Sequence, residues 1–262
     1  MKAVIAGTPL QYEVSGSGPA VLFLHAFPLT SRMWDAQARA LEATHQVVRF
    51  DARGFGGTPP GDGLLTMERI ADDAVALLDH LGISKAAVCG LSMGGYAAFA
   101  LVRRHPERLR ALILADTRTA PDSAEAKRNR SAQADSVRRE GPAAIADGFL
   151  QKAVGDTTRN ERPEVVARIR ETILSASARG IVDALAGLAA RADSGPTLRE
   201  IKVPALVVCG AEDALTPVAD SEAMFRGLPG SRLEIIPRAG HLSALEDPAA
   251  FNAALTTFLN GL

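Results

Sequence analysis

The sequence predicts an α/β fold: a mostly parallel sheet flanked by helices, with a purely helical segment inserted into it. Three observations carry that prediction. Through residue 116, short continuous apolar runs alternate with helical stretches, and continuous rather than alternating hydrophobicity marks strands buried on both faces. From Thr117 to about Arg199 no strand is evident, and Arg-, Glu- and Ala-rich helical stretches follow one another. The alternation then resumes to Leu262. Residues 1–116 and 200–262 are therefore expected to form one core, with residues 117–199 as an inserted helical lid.

In chain order, Ala3–Ile5 and Leu10–Val14 read as a hairpin around Gly7-Thr8-Pro9, at a sheet edge. Ala20–Leu24 is the first fully apolar strand, followed by His25-Ala26-Phe27-Pro28 and a helix from Trp34 to Ala43. Val47–Phe50 is the next strand, ending in Asp51-Ala52-Arg53-Gly54-Phe55-Gly56-Gly57. Asp51 and Arg53 are read there as parts of a structural turn. Thr66 is a suitable N-cap for a helix that places Ile70, Ala74, Leu77, Leu78 and Leu81 on one face and Asp72, Asp73 and Asp79 off it. Gly82 ends that helix. Strand Ala86–Leu91, a helix to His105 and strand Leu109–Ala115 complete the first part, and Asp116 closes the last of these strands.

Within the insertion the helical stretches are Ser123–Arg139, Ala143–Ala153, Glu164–Ser177 and Ile181–Ala190, punctuated by Gly141-Pro142, Arg162-Pro163, Gly180 and Gly195-Pro196. Its modest excess of basic residues reads as a solvated surface. Strand Pro204–Cys209, helix Pro217–Arg226, strand Arg232–Ile236 and helix Pro248–Leu259 follow, the last capped by Asp247 with Pro248 in its first position.

Composition bounds the function. A 47% hydrophobic and 23% charged chain of 262 residues fits a soluble globular enzyme with a sizeable core. A net charge of −1 provides no basic field for nucleic acid. The N-terminal Met1 to Gly7 reaches Gly, Thr and Pro too soon to supply a signal-peptide apolar region, and no run approaches the length of a membrane-spanning helix. The two cysteines, Cys89 and Cys209, each end an apolar run before a glycine and read as buried free thiols, although neighbouring strands would bring them close. A cytoplasmic, reducing location is expected.

The chemistry centres on Cys89-Gly90-Leu91-Ser92-Met93-Gly94-Gly95, between a strand and a helix. In that context a Gly-x-Ser-x-Gly turn holds its serine in a strained conformation with the hydroxyl exposed, and glycines at either side avoid a clash. The helix that begins near Met93 aims free N–H groups and its positive dipole end at the same place. A serine hydroxyl needs a base. Of five histidines, His45, His80 and His105 lie away from strand C-terminal ends, where open α/β sheets bind ligands. His25 and His241 follow such ends. His25 belongs to the first apolar strand and is expected to brace its loop at the edge of the substrate site. His241, after Gly240, is the expected base and then acid. The carboxylate that orients it is expected to be Asp213, giving the chain order Ser, Asp, His that accompanies this elbow. Glu212 and Asp116 are its rivals. The oxyanion donors are expected to be the backbone N–H groups of Met93 and Phe27, the Phe27 ring then lining the acyl pocket.

On His25-Ala26-Phe27-Pro28, Asp51 to Gly56, Gly90 to Gly95, Gly210-Ala211-Glu212-Asp213 and Gly240-His241, the chain resembles a serine hydrolase of the α/β-hydrolase fold along nearly its whole length. It is most similar to small-lid carboxylesterases, aryl esterases with perhydrolase side activity, and 3-oxoadipate enol-lactonases. Ala26 departs from the glycine of many relatives. The resemblance implies an eight-stranded sheet, no metal or organic cofactor, and a small ester or lactone as substrate. Ester hydrolysis leads, with lactone opening and acyl transfer (including to peroxide) behind it. A ligand-binding protein on the same fold is the non-enzymatic alternative.

Overall fold

In the computed structural model, which describes residues 1–262, eight strands form one sheet. They are β1 (Lys2–Ile5), β2 (Thr8–Ser15), β3 (Ala20–Leu24), β4 (Gln46–Phe50), β5 (Ala86–Leu91), β6 (Leu109–Ala115), β7 (Ala205–Gly210) and β8 (Arg232–Ile236). Their order across the sheet is β1-β2-β4-β3-β5-β6-β7-β8. β2 is antiparallel to both of its neighbours, and every pair from β4 to β8 is parallel. The chain thus has the α/β-hydrolase architecture.

The continuous apolar runs are explained by burial on both sides. Leu22 and Leu24 of β3 join one core while Val21 and Phe23 join the other, and β5, β6 and β7 divide their residues in the same alternating way. Helices α1 (Asp35–Leu41), α2 (Met67–His80) and α3 (Met93–Arg104) follow successive strands of the first part. The second part contributes α9 (Val218–Gly227), α10 (Ser243–Glu246) and α11 (Pro248–Leu259). Thr66 and Asp247 cap α2 and α11 through side-chain oxygens.

Between β6 and β7 lie α4 (Ala124–Glu140), α5 (Ala143–Ala153), α6 (Asp156–Glu161), α7 (Pro163–Leu174) and α8 (Ala178–Ala190). Here the structure departs from the pattern in the sequence. The six-residue α6 is too short to show a periodicity. Gly180 does not break a helix but sits in the first turn of α8, where its N–H donates to the Ser177 hydroxyl at 3.3 Å. Its lack of a side chain serves contact: a Cβ at Gly180 would lie 2.1 Å from the Gly54 carbonyl oxygen.

Two further expectations are corrected. Asp73 is buried on α2 rather than facing water, because Arg53 Nε and Nη2 donate to its two oxygens at 2.7 and 2.6 Å. Cys89 on β5 and Cys209 on β7 are separated by β6, so they are not on neighbouring strands. Burial pushes the Cys209 thiol up to about 11, which leaves it unreactive at neutral pH.

Candidate active site

Ser92 stands at the junction of β5 and α3 with φ of 53° and ψ of −110°, a left-handed φ that an L-residue rarely adopts. The turn closes only around glycine: a Cβ on Gly90 would meet the Gly94 carbonyl oxygen at 2.2 Å, and one on Gly94 the Leu24 carbonyl oxygen at 2.1 Å. Thr117, just past β6, donates from its hydroxyl to the Ser92 carbonyl at 3.1 Å and steadies the turn.

His241 follows β8, and its Nε2 lies 2.7 Å from Ser92 Oγ. On the other side of the ring, Nδ1 lies 2.8 Å from Asp213 Oδ2. Both side chains are buried. Asp213 Oδ1 accepts from the N–H groups of Leu215 and Thr216 at 2.8 and 2.9 Å, and Oδ2 accepts from the Thr216 hydroxyl at 2.6 Å. Burial works to raise the Asp213 pKa, but the charge and hydrogen bond of His241, with those of Thr216, hold it below the ordinary carboxylate range. An ionised Asp213 fixes Nδ1 as the protonated nitrogen and leaves Nε2 free to accept from Ser92.

The rivals are engaged elsewhere. Asp116 Oδ1 accepts from Gly210 N at 2.8 Å, and Oδ2 accepts from the Ser243 hydroxyl at 2.5 Å. Its burial, with Asp213 nearby, pushes its pKa well up. Glu212 accepts from the N–H and hydroxyl of Thr157, across in the insertion. His25, expected at the substrate site, is not among the residues that line the cavity over Ser92. Its Nδ1 faces the Ala26 carbonyl of its own loop at 3.0 Å, and its Nε2 accepts from Ala52 N at 2.9 Å, tying that loop to the one after β4. Burial lowers its pKa.

A cavity of about 350 Å³ opens over Ser92 and His241, with Phe27 and Leu215 from the core and Ile145 and Phe149 from α5 in its walls. The Phe27 and Phe149 rings meet edge to face at 6.3 Å between centroids. Neither the Phe27 nor the Met93 N–H is taken up by a hydrogen bond elsewhere in the chain. Larger hollows of 740 and 850 Å³ lie away from Ser92 and contain none of these groups.

Sequence reasoning missed two supports. Thr216 had no signal of its own: an aspartate side chain commonly accepts from the backbone two residues on, which accounts for Leu215 N but not for the Thr216 hydroxyl. Glu246 had none either. Its fully buried carboxylate accepts from Gly155 N at 2.9 Å, Gly240 N at 3.0 Å and Leu242 N at 3.1 Å, clasping the His241 loop against the insertion.

Comparison with known proteins accords with the fold. A family model described as alpha/beta hydrolase fold matches residues 19–248. The 3-oxoadipate enol-lactonase 2 of Acinetobacter baylyi is 33% identical over 248 residues, covering 94% of this chain and 91% of its own. Among solved structures, a malate-bound thermophilic esterase from Thermogutta terrifontis is 42% identical with a TM-score of 0.96, covering 100% of this chain and 98% of its own. The enol-lactonase of Burkholderia xenovorans LB400 is 31% identical with a TM-score of 0.92, covering 99% of this chain and 100% of its own.

Proposed function

Because the chain belongs to the alpha/beta hydrolase fold family, we propose that it cleaves small carboxylic esters through an acyl-Ser92 intermediate. Its class is that of the carboxylic ester hydrolases, to which its esterase and enol-lactonase relatives belong. The observation that carries the mechanism is the relay from Ser92 Oγ to His241 Nε2 at 2.7 Å and from His241 Nδ1 to Asp213 Oδ2 at 2.8 Å.

In the first half-reaction Ser92 Oγ bonds to the ester carbonyl carbon while His241 Nε2 takes its proton. Asp213 stabilises the imidazolium. The N–H groups of Met93 and Phe27 hold the oxyanion. Collapse breaks the carbon–oxygen bond to the alcohol, which leaves with the proton from His241. Water then attacks the acyl-enzyme by the reverse route and frees the acid and Ser92. Residues 117–199 act as the lid that shapes the acyl pocket. A lactone is the second reading, favoured by the 33% identity to an enol-lactonase over nearly the whole chain. The same steps would open the ring and leave one product.

The test is turnover of 4-nitrophenyl acetate and butyrate by wild type and Ser92→Ala, with a fluorophosphonate probe on both. Activity and labelling that vanish together in the variant support the acyl-enzyme. Substantial turnover by Ser92→Ala would overturn it.

A further inference from the structure

The sheet ends in two edges, β1 and β8. Unpaired backbone groups along an edge are a template for another strand, and proteins blunt such edges with short strands and lysines. β1 is blunted in this way, being four residues long with Lys2 as its one charged residue. β8, Arg232-Leu233-Glu234-Ile235-Ile236, carries one charge of each sign instead.

The direction of its free groups follows from its pairing with β7. Ile236 stands opposite Gly210, and its carbonyl accepts from Ala211 N at 2.9 Å. Successive residues of a strand turn their backbone groups to alternate sides. Arg232, Glu234 and Ile236 therefore bond toward β7, and the N–H and C=O of Leu233 and Ile235 point off the edge, where no turn or loop takes them up. Arg232 and Glu234 are exposed on one face of the sheet and make no ion pair within the chain. Leu233 and Ile235 lie on the other face, where Leu233 packs against the same core as Met224 of α9. On that side Ile235 and the α9 residue Phe225 are 41% and 40% exposed, large apolar side chains left in water at the edge.

A second copy related by a two-fold axis would lay its β8 antiparallel to this one, the same residues meeting on both sides. An antiparallel ladder pairs outward residues with outward ones, so only alternate registers exist. With Arg232 or Glu234 opposite its own counterpart, like charges would face each other, which is unfavourable. With Ile235 opposite its counterpart, Leu233 would face Pro237, which has no N–H to donate. With Leu233 opposite its counterpart, both objections vanish. The two Leu233 residues exchange two backbone hydrogen bonds, and Arg232 faces Glu234 on either side of the axis, in close pairs with Cα atoms about 4.5 Å apart. We propose that a second copy of this chain docks along β8 in this register, joining two eight-stranded sheets into one and covering Ile235 and Phe225. A stable interface of standard size buries about 1,200–2,000 Å², so the contact extends from the strands onto α9. It is independent of the chemistry at Ser92.

Sedimentation velocity on the full chain at about 1 to 100 µM reaches past the micromolar limit of standard-size interfaces, and the wild type is expected to become a dimer within that range. Glu234→Arg sets arginine against arginine, and Arg232→Glu sets glutamate against glutamate. Each variant is expected to stay monomeric where the wild type is dimeric. An equal mixture of the two should form a dimer, as should the double variant Arg232→Glu with Glu234→Arg, because every facing pair is then opposite in sign. Ile235→Pro removes an N–H that β8 does not use within its own sheet, and should dissociate the dimer while leaving the chain folded. Thermal midpoints by circular dichroism check the folding of each variant. Should Ile235→Pro not fold, the charge series decides alone. A wild type monomeric throughout would leave the edge to another kind of partner and overturn the assignment. So would a dimer that survives Glu234→Arg, or a double variant that does not regain it.

Discussion

The Glu246 carboxylate accepts a hydrogen bond from the Gly155 N–H at 2.9 Å, joining the loop that carries His241 to the helical insertion. The same region is stitched by His241 N donating to the Ala153 carbonyl at 2.8 Å, and by Arg162 donating to the Glu246 and Arg238 carbonyls. The position of the proposed base therefore depends on a segment outside the core. Glu246→Ala strands three buried N–H groups, each worth about 1–3 kcal/mol when unpaired, and is expected to destabilise the protein by several kcal/mol. Glu246→Gln keeps the shape but turns one acceptor into a donor. It should retain more stability, with kcat falling by up to ~10²-fold if the ring shifts by an ångström. Urea unfolding beside steady-state kinetics measures both.

The choice between the two buried carboxylates is also open to experiment. Asp213→Asn would favour the wrong imidazole tautomer, and a kcat loss on the order of 10⁴-fold is expected. Asp116→Asn keeps an oxygen for Gly210 N and touches neither ring nitrogen of His241, so its effect should be far smaller. A larger loss in Asp116→Asn would transfer the orienting role to it.

Gly180 tests the seating of the insertion. Because a Cβ there would lie 2.1 Å from the Gly54 carbonyl oxygen, Gly180→Ala must push α8 off the loop after β4. Overpacking of this kind lowers stability by about 1–3 kcal/mol. A thermal midpoint unchanged from wild type would show that the interface yields freely.

What the sequence made legible follows from the range over which each feature is determined. Ser92 was readable because strand, turn and helix are contiguous and the turn requires Gly90 and Gly94. Asp213 and His241 each follow a strand whose apolar run is visible. Glu246 was not readable, since its partner Gly155 lies 91 residues away and no local pattern marks the contact. The basic lid residues read as a solvated surface, which holds for Arg138 but not for Arg130, whose side chain turns to Asp122 only once α4 is packed. His25 was readable as a brace. As a substrate-binding residue it has no counterpart in the cavity lining, and both of its nitrogens are bonded to backbone.

Acid stability provides the last test. For Asp122, burial acts to raise the pKa, but Arg130 and Arg191 outweigh it and the folded value lies below the unfolded 3.8. Asp213 is shifted in the same direction by His241 and Thr216 despite its burial. A lowered folded pKa means the unfolded chain binds the proton more tightly. The stabilisation is therefore complete well above pH 3.8 and is lost as pH falls through the lower folded values. Asp116 has the opposite sign: its raised pKa favours the protonated native state, and its burial penalty appears as pH rises through the folded value. Below the ordinary carboxylate range, the loss should be governed by Asp122 and Asp213 and not by Asp116. Asp122→Asn should be less stable than wild type at pH 7, where Arg130 and Arg191 lose their counter-charge, and the gap should narrow as the pH approaches 3. Urea midpoints at intervals from pH 7 to pH 3 measure that gap. A gap that stays constant or widens on acidification would mean that Asp122 is not held ionised by its arginines.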